Sequence, residues 1–452
     1  MDKVMATHVI SFFADSHAYA SLENHRRYCA RQGYTHEYVD ASAIGWPQLR
    51  MILKYQVLLR TLRACAEGDF VLLLTQDALL LSDIRCETLM QGRAADWIVA
   101  LDSPGNSDYV IASFQLWRNT SAARDRVKRL CEGPKLGRAP VSESDLLRLL
   151  EPEPFNMAYG GRLAVAPAGL HASLSWVEYP ILAVALVDLP EAPTNYPVFS
   201  TLRDLFAEHI NDCQAKGLPY LTLPSSTAGQ SVGDYDVMNS HAPIALAMLY
   251  TPNIREYGEI AERNLRRYCV RHGYALHVYR DVPEDASSDA TGNWFKPWVL
   301  RRHLPQHEWL FWIDADVLVI DQSKPLEPLL QNRDRVIATD ISWHLNSGVM
   351  GFRNTQKNLH VLTEIEQAVG DIANKSSVHS SGGDQDVFIK VMMRHGMAAD
   401  DELLDCTTLN TPYQLQTHAS FMVHYMGMWA VLRALVMHHG DQVSCELDAN
   451  RL

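Results

Sequence analysis

The chain has 452 residues, 47% of them hydrophobic and 21% charged, and its 53 acidic against 40 basic side chains give a formal charge of −13. At roughly 150 residues per domain this is ordinary globular material for two to three domains. The composition excludes wholesale disorder, collagen, a coiled coil and a disulfide miniprotein, and the acidic balance offers no global basic field for nucleic acid.

The opening MDKVMATHVISFF is a short apolar stretch broken by Thr7 and His8, so it reads as a first buried strand rather than a signal peptide. No run of about 18 apolar residues follows anywhere, and no transmembrane segment is expected, although peripheral membrane contact stays open. Eight cysteines stand singly at positions 29, 65, 86, 131, 213, 269, 406 and 445 with no CxxC pair, the usage of reduced thiols in a cytoplasmic protein. After the first strand, a helix is expected from about Asp15 to Gln32, closed by Gly33, and then a second strand, YTHEYV.

That plan recurs. RRYCARQGY at Arg26–Tyr34 returns as RRYCVRHGY at Arg266–Tyr274, with seven of nine positions alike. Lys54 in KYQVLLRTL pairs with Lys296 in KPWVLRRHL, FVLLLTQDALLL with WLFWIDADVLVI, and Arg118-Asn119-Thr120 with Arg353-Asn354-Thr355. Collinear matches at a nearly constant offset indicate duplication of a whole domain. The halves are placed at 1–187 and 236–452, with residues 188–235 as a linker rich in Pro, Ser and Gly. Strand and helix alternate in each half, and WLFWIDADVLVI is too apolar for a surface strand. The fold class is therefore α/β with a mostly parallel sheet, twice over.

In the second half, HAPIALAMLYT is a buried strand. Thr251 is positioned to cap a helix with Pro252 at its first position and Gly273 at its end. Asp314-Ala315-Asp316 ends the apolar strand, so both carboxylates project to one side at the end of a parallel strand, where α/β folds bind ligands. Two carboxylates there call for a cation, and hard oxygen donors suit Mn²⁺ or Mg²⁺. Asn346-Ser347-Gly348 precedes another strand. Asp384, Gln385 and Asp386 open a helical pattern, with Asp384 a candidate cap, and His424-Tyr425-Met426-Gly427 follows an apolar FMV.

The ordered set WIDADVLVI, NSGVMGFRN, GGDQDVF and HYMG resembles the galactosyltransferase/mannosyltransferase family of GT-A glycosyltransferases, the GMA12/MNN10 type that also contains plant xyloglucan xylosyltransferases. The resemblance covers about residues 236–430. It implies tandem GT-A, Rossmann-like domains, the first degenerate, and transfer from a nucleotide-sugar with retention and a divalent metal. Asp314, Asp316 and His424 match the metal ligands. Asn346, Ser347 and Gly348 match the segment lining the acceptor and sugar side, and Asp384 and Gln385 the pair near the transferred sugar. Lys296 matches a basic position that meets the diphosphate, Tyr250 and Thr251 lie under the base, and Gly427 closes the HxxG motif. Asp384 and Asp386 are the candidate carboxylates near the anomeric carbon, whether an enzyme carboxylate attacks first or the acceptor attacks from the leaving-group face. A UDP-sugar donor, a hexose (galactose first) and a glycan acceptor, lipid-linked or surface polysaccharide, complete the expectation. The chain departs from the plant pattern in having Met428 and Trp429, not a lysine, after the HxxG glycine; diphosphate neutralisation then falls to the metal, Lys296, or Arg301 and Arg302.

In the first half the counterpart of Asp314-Ala315-Asp316 is Thr75-Gln76-Asp77, and that of Asn346-Ser347-Gly348 is about Ile111-Ala112-Ser113. Ser144-Asp145 stands near the place of Gln385-Asp386, and His171 is a loose match for the metal histidine. One carboxylate with Thr and Gln makes a poor Mn²⁺ site. This half is expected to give support or to bind acceptor glycan, with Trp46 and Trp117 as either aromatic platforms or core. Alternatively Arg50, Lys54 and Arg60 replace the ion and both halves are active. A non-catalytic glycan-binding protein, and more remotely a nucleotidyltransferase, are the readings from other classes.

Overall fold

The computed structural model describes residues 5–103, 106–132, 142–150, 153–154, 182–185, 202–218, 233–283, 286, 292–375, 383–417, 419–427 and 430–449. Two compact units emerge, Met1–Pro190 with Leu202–Thr222, and Glu191–Thr201 with Leu223–Leu452.

The first unit runs β1 (Thr7–Phe13), α1 (Tyr19–Gln32), β2 (Thr35–Asp40), α2 (Pro47–Ala64), β3 (Phe70–Leu74), β4 (Trp97–Ser103), β5 (Asn106–Arg118) and α3 (Leu202–Lys216), with shorter pieces between. Its sheet has the order β2-β1-β3-β5-β4, closed by the two-residue strand Glu153–Pro154. β1 is parallel to β2 and β3, whereas β5 runs antiparallel to both β3 and β4. α1 starts at Tyr19, four residues after the expected Asp15, and ends at Gly33 with φ 71°. That left-handed value costs glycine little and other residues much. The stretch expected as a linker contains α3, whose Asn211 donates to the carbonyl of Ala20 on α1.

The second unit runs β6 (Tyr235–Met238), β7 (Ile244–Leu249), α4 (Arg255–His272), β8 (Ala275–Tyr279), α5 (Lys296–His303), β9 (Trp309–Ile313), β10 (Val317–Val319), β11 (Arg335–Ile337), β12 (Val349–Arg353), α6 (Gln356–Gly370), α7 (Asp384–Arg394), β13 (Met422–His424) and α8 (Ala430–Ala449). Its sheet has the order β6-β8-β7-β9-β12-β11. β7 is parallel to β8 and β9, with β12 antiparallel to β9. Strands 2-1-3 parallel, followed by two antiparallel, is the arrangement of the first unit too. The parallel strands are fully buried, as their apolar runs require.

Matching hydrogen bonds recur at matching positions. Asn24 on α1 exchanges bonds with the backbone of Leu80, and Asn264 on α4 does the same with Val319. The Tyr28 hydroxyl donates to the Ile84 carbonyl, and that of Tyr268 to Lys324. Tyr34 and Tyr274 donate to Glu87 and Glu327. None of the eight cysteines is in a disulfide. No helix among the described residues is long and apolar enough to cross a membrane.

One buried cluster in the second unit has a consequence for stability. His277 Nε2 lies 2.8 Å from His307 Nε2, its Nδ1 2.8 Å from the Tyr235 hydroxyl, and its ring stacks on His303 at 4.0 Å. Burial lowers His277 to about 3 and His303 to about 4, and lowers His307 as well; the neighbouring imidazoles, Arg302 and His241 add to the effect. A histidine depressed in the fold favours the unfolded chain as it protonates, so its stabilisation is present above about 6.5 and fades as pH falls toward 4. Denaturant melts of the second unit should therefore lose midpoint steadily between pH 6.5 and 4, and replacing His303 with phenylalanine should flatten that slope.

Candidate active site

A pocket of about 740 Å³ opens at the carboxyl ends of β7 and β9, lined on one side by Leu249, Thr251, Asn253, Ile254 and Tyr257, and across from them by Asp314, Asp316, Asn346, Ser347, Gly348, Asp384, Gln385, His424 and Gly427. The β10–β13 pairing sets Val317 opposite His424, and Tyr425 N–H donates to the Asp316 carbonyl at 2.9 Å. This brings His424 Nε2 to 3.1 Å from Asp316 Oδ1. One ligand atom from each of Asp314, Asp316 and His424 falls within 4.8 Å of the others.

Two details bear on a metal. His424 Nδ1 is buried and has no hydrogen-bond partner among the described residues. A Cβ on Gly348 would lie 2.3 Å from His424 Cε1 and 2.7 Å from Nδ1, so the ring fits because residue 348 has no side chain. Two carboxylates and one imidazole converging on one point is a donor set that fits Mn²⁺ or Mg²⁺.

The negative charge is already countered by protein cations. Lys296, fully buried on α5, puts Nζ 3.0 Å from Asp314 and 3.0 Å from Asp384 Oδ2, with Ser347 Oγ at 3.2 Å. Burial opposes its charge, but the two carboxylates prevail and raise its pKa. Burial raises Asp314. At Asp316 burial pushes upward too, yet His424 and Arg433 outweigh it and hold the carboxyl well below the usual range. Trp312 Nε1–H donates to Asp314 Oδ1 at 2.7 Å.

The motif residues divide by the faces of their elements. Tyr250 is buried away from the pocket, its hydroxyl donating to Glu262 Oε2 at 2.7 Å, while its neighbours Leu249 and Thr251 face the pocket. Thr251 makes no capping bond to the backbone, and a short 3₁₀ turn, Pro252–Ile254, precedes α4. Asp384 is the first residue of α7 rather than its cap, which is Gly383; its carboxylate accepts from Asn293 and Lys296. Gln385 Oε1 accepts from Ser347 N–H at 3.0 Å. Asp386, expected beside the anomeric carbon, is absent from the pocket lining and pairs with Lys390 one turn along, because two residues of helix turn a side chain by about 200°. Arg301, an alternative diphosphate partner, is paired with Glu366 on the surface, and Arg302 stacks over Trp298.

Arg433 on α8 was not legible as a site residue. Its Nη1 lies 3.1 Å from both Asp316 Oδ2 and the Tyr257 hydroxyl, and its guanidinium sits 4.9 Å over the Tyr257 ring. The missing lysine near the HxxG glycine was the signal, but nothing in the sequence around Arg433 marks it. Trp343, 42% exposed, also lines the pocket. Its loop is fixed by the Asp340 carboxylate accepting from Ser342 and Trp343 N–H.

The first unit repeats this site without its metal ligands. Lys54 pairs with Glu143 as Lys296 does with Asp384. Thr75 N–H donates to the Ser113 carbonyl where Asp314 N–H donates to Gly348. Ser113 thus stands where the glycine makes room for a histidine. Arg203, on α3, contacts Asp77 at 3.3 Å, Asp15 at 2.7 Å and Asp204 at 3.0 Å, so a guanidinium stands where a cation would. Gln76 accepts from Ala14 N–H. Trp117 is core, stacked on Trp97 at 4.3 Å, whereas Trp46 is 64% exposed. His171 lies outside the described residues.

Two tests follow from this geometry. Gly348→Ala should weaken Mn²⁺ binding by roughly 10–100-fold in calorimetry by displacing His424. Arg203→Ala removes the guanidinium that contacts three half-buried carboxylates and should destabilise the first unit by about 2 kcal/mol in denaturant melts, with Mn²⁺ affinity at the second unit unchanged.

A sequence model of the galactosyl transferase GMA12/MNN10 family matches residues 249–369. The Saccharomyces cerevisiae protein described as probable alpha-1,6-mannosyltransferase MNN10 is 33% identical over 84 residues, 18% of this chain. The chain spans about a fifth (21%) of that relative's length. Among solved structures, a glycosyltransferase involved in glycosylation of the major capsid of PBCV-1 is 18% identical with a TM-score of 0.36, covering 43% of this chain and 98% of its own. The galactosyltransferase LgtC, in complex with donor and acceptor sugar analogues, is 11% identical with a TM-score of 0.30, covering 45% and 95%. Residues 249–369, which carry the strand ending in Asp314-Ala315-Asp316 and the Asn346-Ser347-Gly348 turn, are thus the part of the chain that is similar to the galactosyl transferase GMA12/MNN10 family of glycosyltransferases.

Proposed function

We propose that the second unit is a metal-dependent, retaining glycosyltransferase that moves a hexose, galactose first, from a nucleotide-sugar to a glycan acceptor, with a UDP-sugar as the favoured donor. The observation that carries this reading is the convergence of Asp314, Asp316 and His424 on one point of a large pocket, beside Arg433 and Lys296. Those three side chains would hold Mn²⁺ or Mg²⁺, which when bound supplies positive charge to a diphosphate leaving group.

The protein's own groups have separable tasks. Leu249, Thr251, Asn253 and Tyr257 form the wall for the nucleoside. Arg433 is the cation for the diphosphate, since a planar guanidinium donates two parallel bonds to phosphate oxygens. Lys296 serves the carboxylates instead, holding Asp314 and Asp384 in place. Asp384 and Gln385 flank the transferred sugar, and fixed donors there meet charge as it develops. The exposed Trp343 indole offers a flat apolar face to an acceptor sugar. The first unit, with Arg203 on its single remaining carboxylate of the motif, serves for support or acceptor binding. Eight cysteines outside any disulfide suit a reducing compartment and a cytoplasmic site of action.

Nucleotide release from a panel of UDP- and GDP-sugars, with and without Mn²⁺, tests the reading. Release should need Mn²⁺ and one nucleotide, vanish with Asp316→Asn, and persist with Asp77→Asn. Loss in both variants would instead bring the first unit into the chemistry. No release and no nucleotide binding would leave a glycan-binding protein. In calorimetry with Mn²⁺, Arg433→Ala should weaken UDP binding by roughly tenfold or more, the worth of one charged hydrogen-bonding group, and Arg433→Lys should recover part of it.

A further inference from the structure

A second group of metal-type ligands lies on the outer side of α6 and α7, apart from the pocket. His360 and Glu364 are four residues apart on α6, so they emerge from one face a turn apart. His395 is the C-cap residue of α7. Its Nε2 lies 2.6 Å from Glu364 Oε2, and its ring is 5.7 Å from that of His360 with the planes at 85°. One ligand atom from each of the three falls within 4.8 Å of the others.

The carboxylate is oriented for this role. Glu364 Oε1 accepts from Arg394 Nη2 at 2.8 Å, which leaves Oε2 turned to the imidazoles. Outer partners of this kind hold ligating groups in place and raise affinity. His360 is exposed and the other two are half-buried, so an ion reaches them without any opening of the fold.

The donor set separates this place from the pocket. Two imidazoles and one carboxylate are nitrogen-rich, and three protein ligands leave one tetrahedral position to water, an arrangement that suits Zn²⁺. Asp314, Asp316 and His424 are oxygen-rich and suit harder ions.

We propose that His360, Glu364 and His395 form a Zn²⁺ site that staples the C-terminal end of α7 to α6. The first turn of α7 carries Asp384 and Gln385, about 16 Å away along the helix at 1.5 Å per residue. The ion thereby restrains the helix that forms one wall of the pocket, while lying outside it.

The test titrates Zn²⁺ alone into the metal-stripped full chain and follows binding by calorimetry and the melting temperature. Wild type and Asp316→Asn should share one Zn²⁺ event and a rise in melting temperature. His360→Ala, His395→Ala and Glu364→Gln should each weaken that event by more than roughly tenfold and lose the rise, and Arg394→Ala should weaken it about tenfold. All four changes are at exposed or half-buried positions, and circular dichroism checks the fold. Absence of Zn²⁺ binding in wild type, an event unchanged in the histidine variants, or loss of all binding with Asp316→Asn would each overturn the proposal. None of these outcomes depends on sugar transfer.

Discussion

The second unit's site depends on one buried ammonium. Lys296 lies between Asp314 and Asp384, both buried or partly so, with the Asp316 carboxylate on the same strand end. Three carboxylates around one crevice would repel each other and pay heavily for lost hydration. A lysine within 3.0 Å of two of them compensates, and Arg433 does the same for the third. Lys296 and Asp384 sit on the two helices α5 and α7, and Asp314 on the end of β9. Holding the charges therefore holds the elements.

The same logic explains what is kept and what is lost between the two units. Lys54 and Glu143 reproduce the lysine–carboxylate pair in the first, although its motif has only Asp77. The ion pair therefore has a structural task that survives without metal ligands. Arg203 and Arg433 each come from a helix packed beside the first long helix of their unit, and each touches the last aspartate of the motif strand. The order and directions of the central strands and the tyrosine and asparagine bonds are also alike in the two units. In the first unit a guanidinium neutralises the crevice; in the second the remaining charge has room for an ion.

Close approach is the other constraint. Gly348 lets the His424 ring stand against the backbone beside the Asp314 strand end, and Gly351 similarly accommodates the Phe311 ring. The segment around the start of β12 is thus shaped by the rings that pack against it. In the first unit the corresponding position is Ser113, whose carbonyl accepts from Thr75 N–H as that of Gly348 does from Asp314.

Much of this was legible along the chain. Apolar runs marked the buried parallel strands, Gly33 and Gly273 marked helix ends, and the repeated RRYC segments marked two like folds. Strand alternation put Asp314 and Asp316 on one side of a strand end, the family resemblance pointed to Asn346, Asp384 and His424, and all five line one pocket. Asp386 was misjudged for a local reason as well: its helical phase depends on where α7 begins, and Gly383 rather than Asp384 is the cap. Arg433 and Arg203 belonged to a different category. Each acts on carboxylates more than a hundred residues away, through helices whose docking is decided by packing, and neither periodicity nor spacing encodes that distance. The sequence by itself determined which elements form and which donor types stand at their ends. Tertiary structure alone decided which cation each carboxylate meets, because charges pair by proximity in space and the chain specifies that only through its packed core.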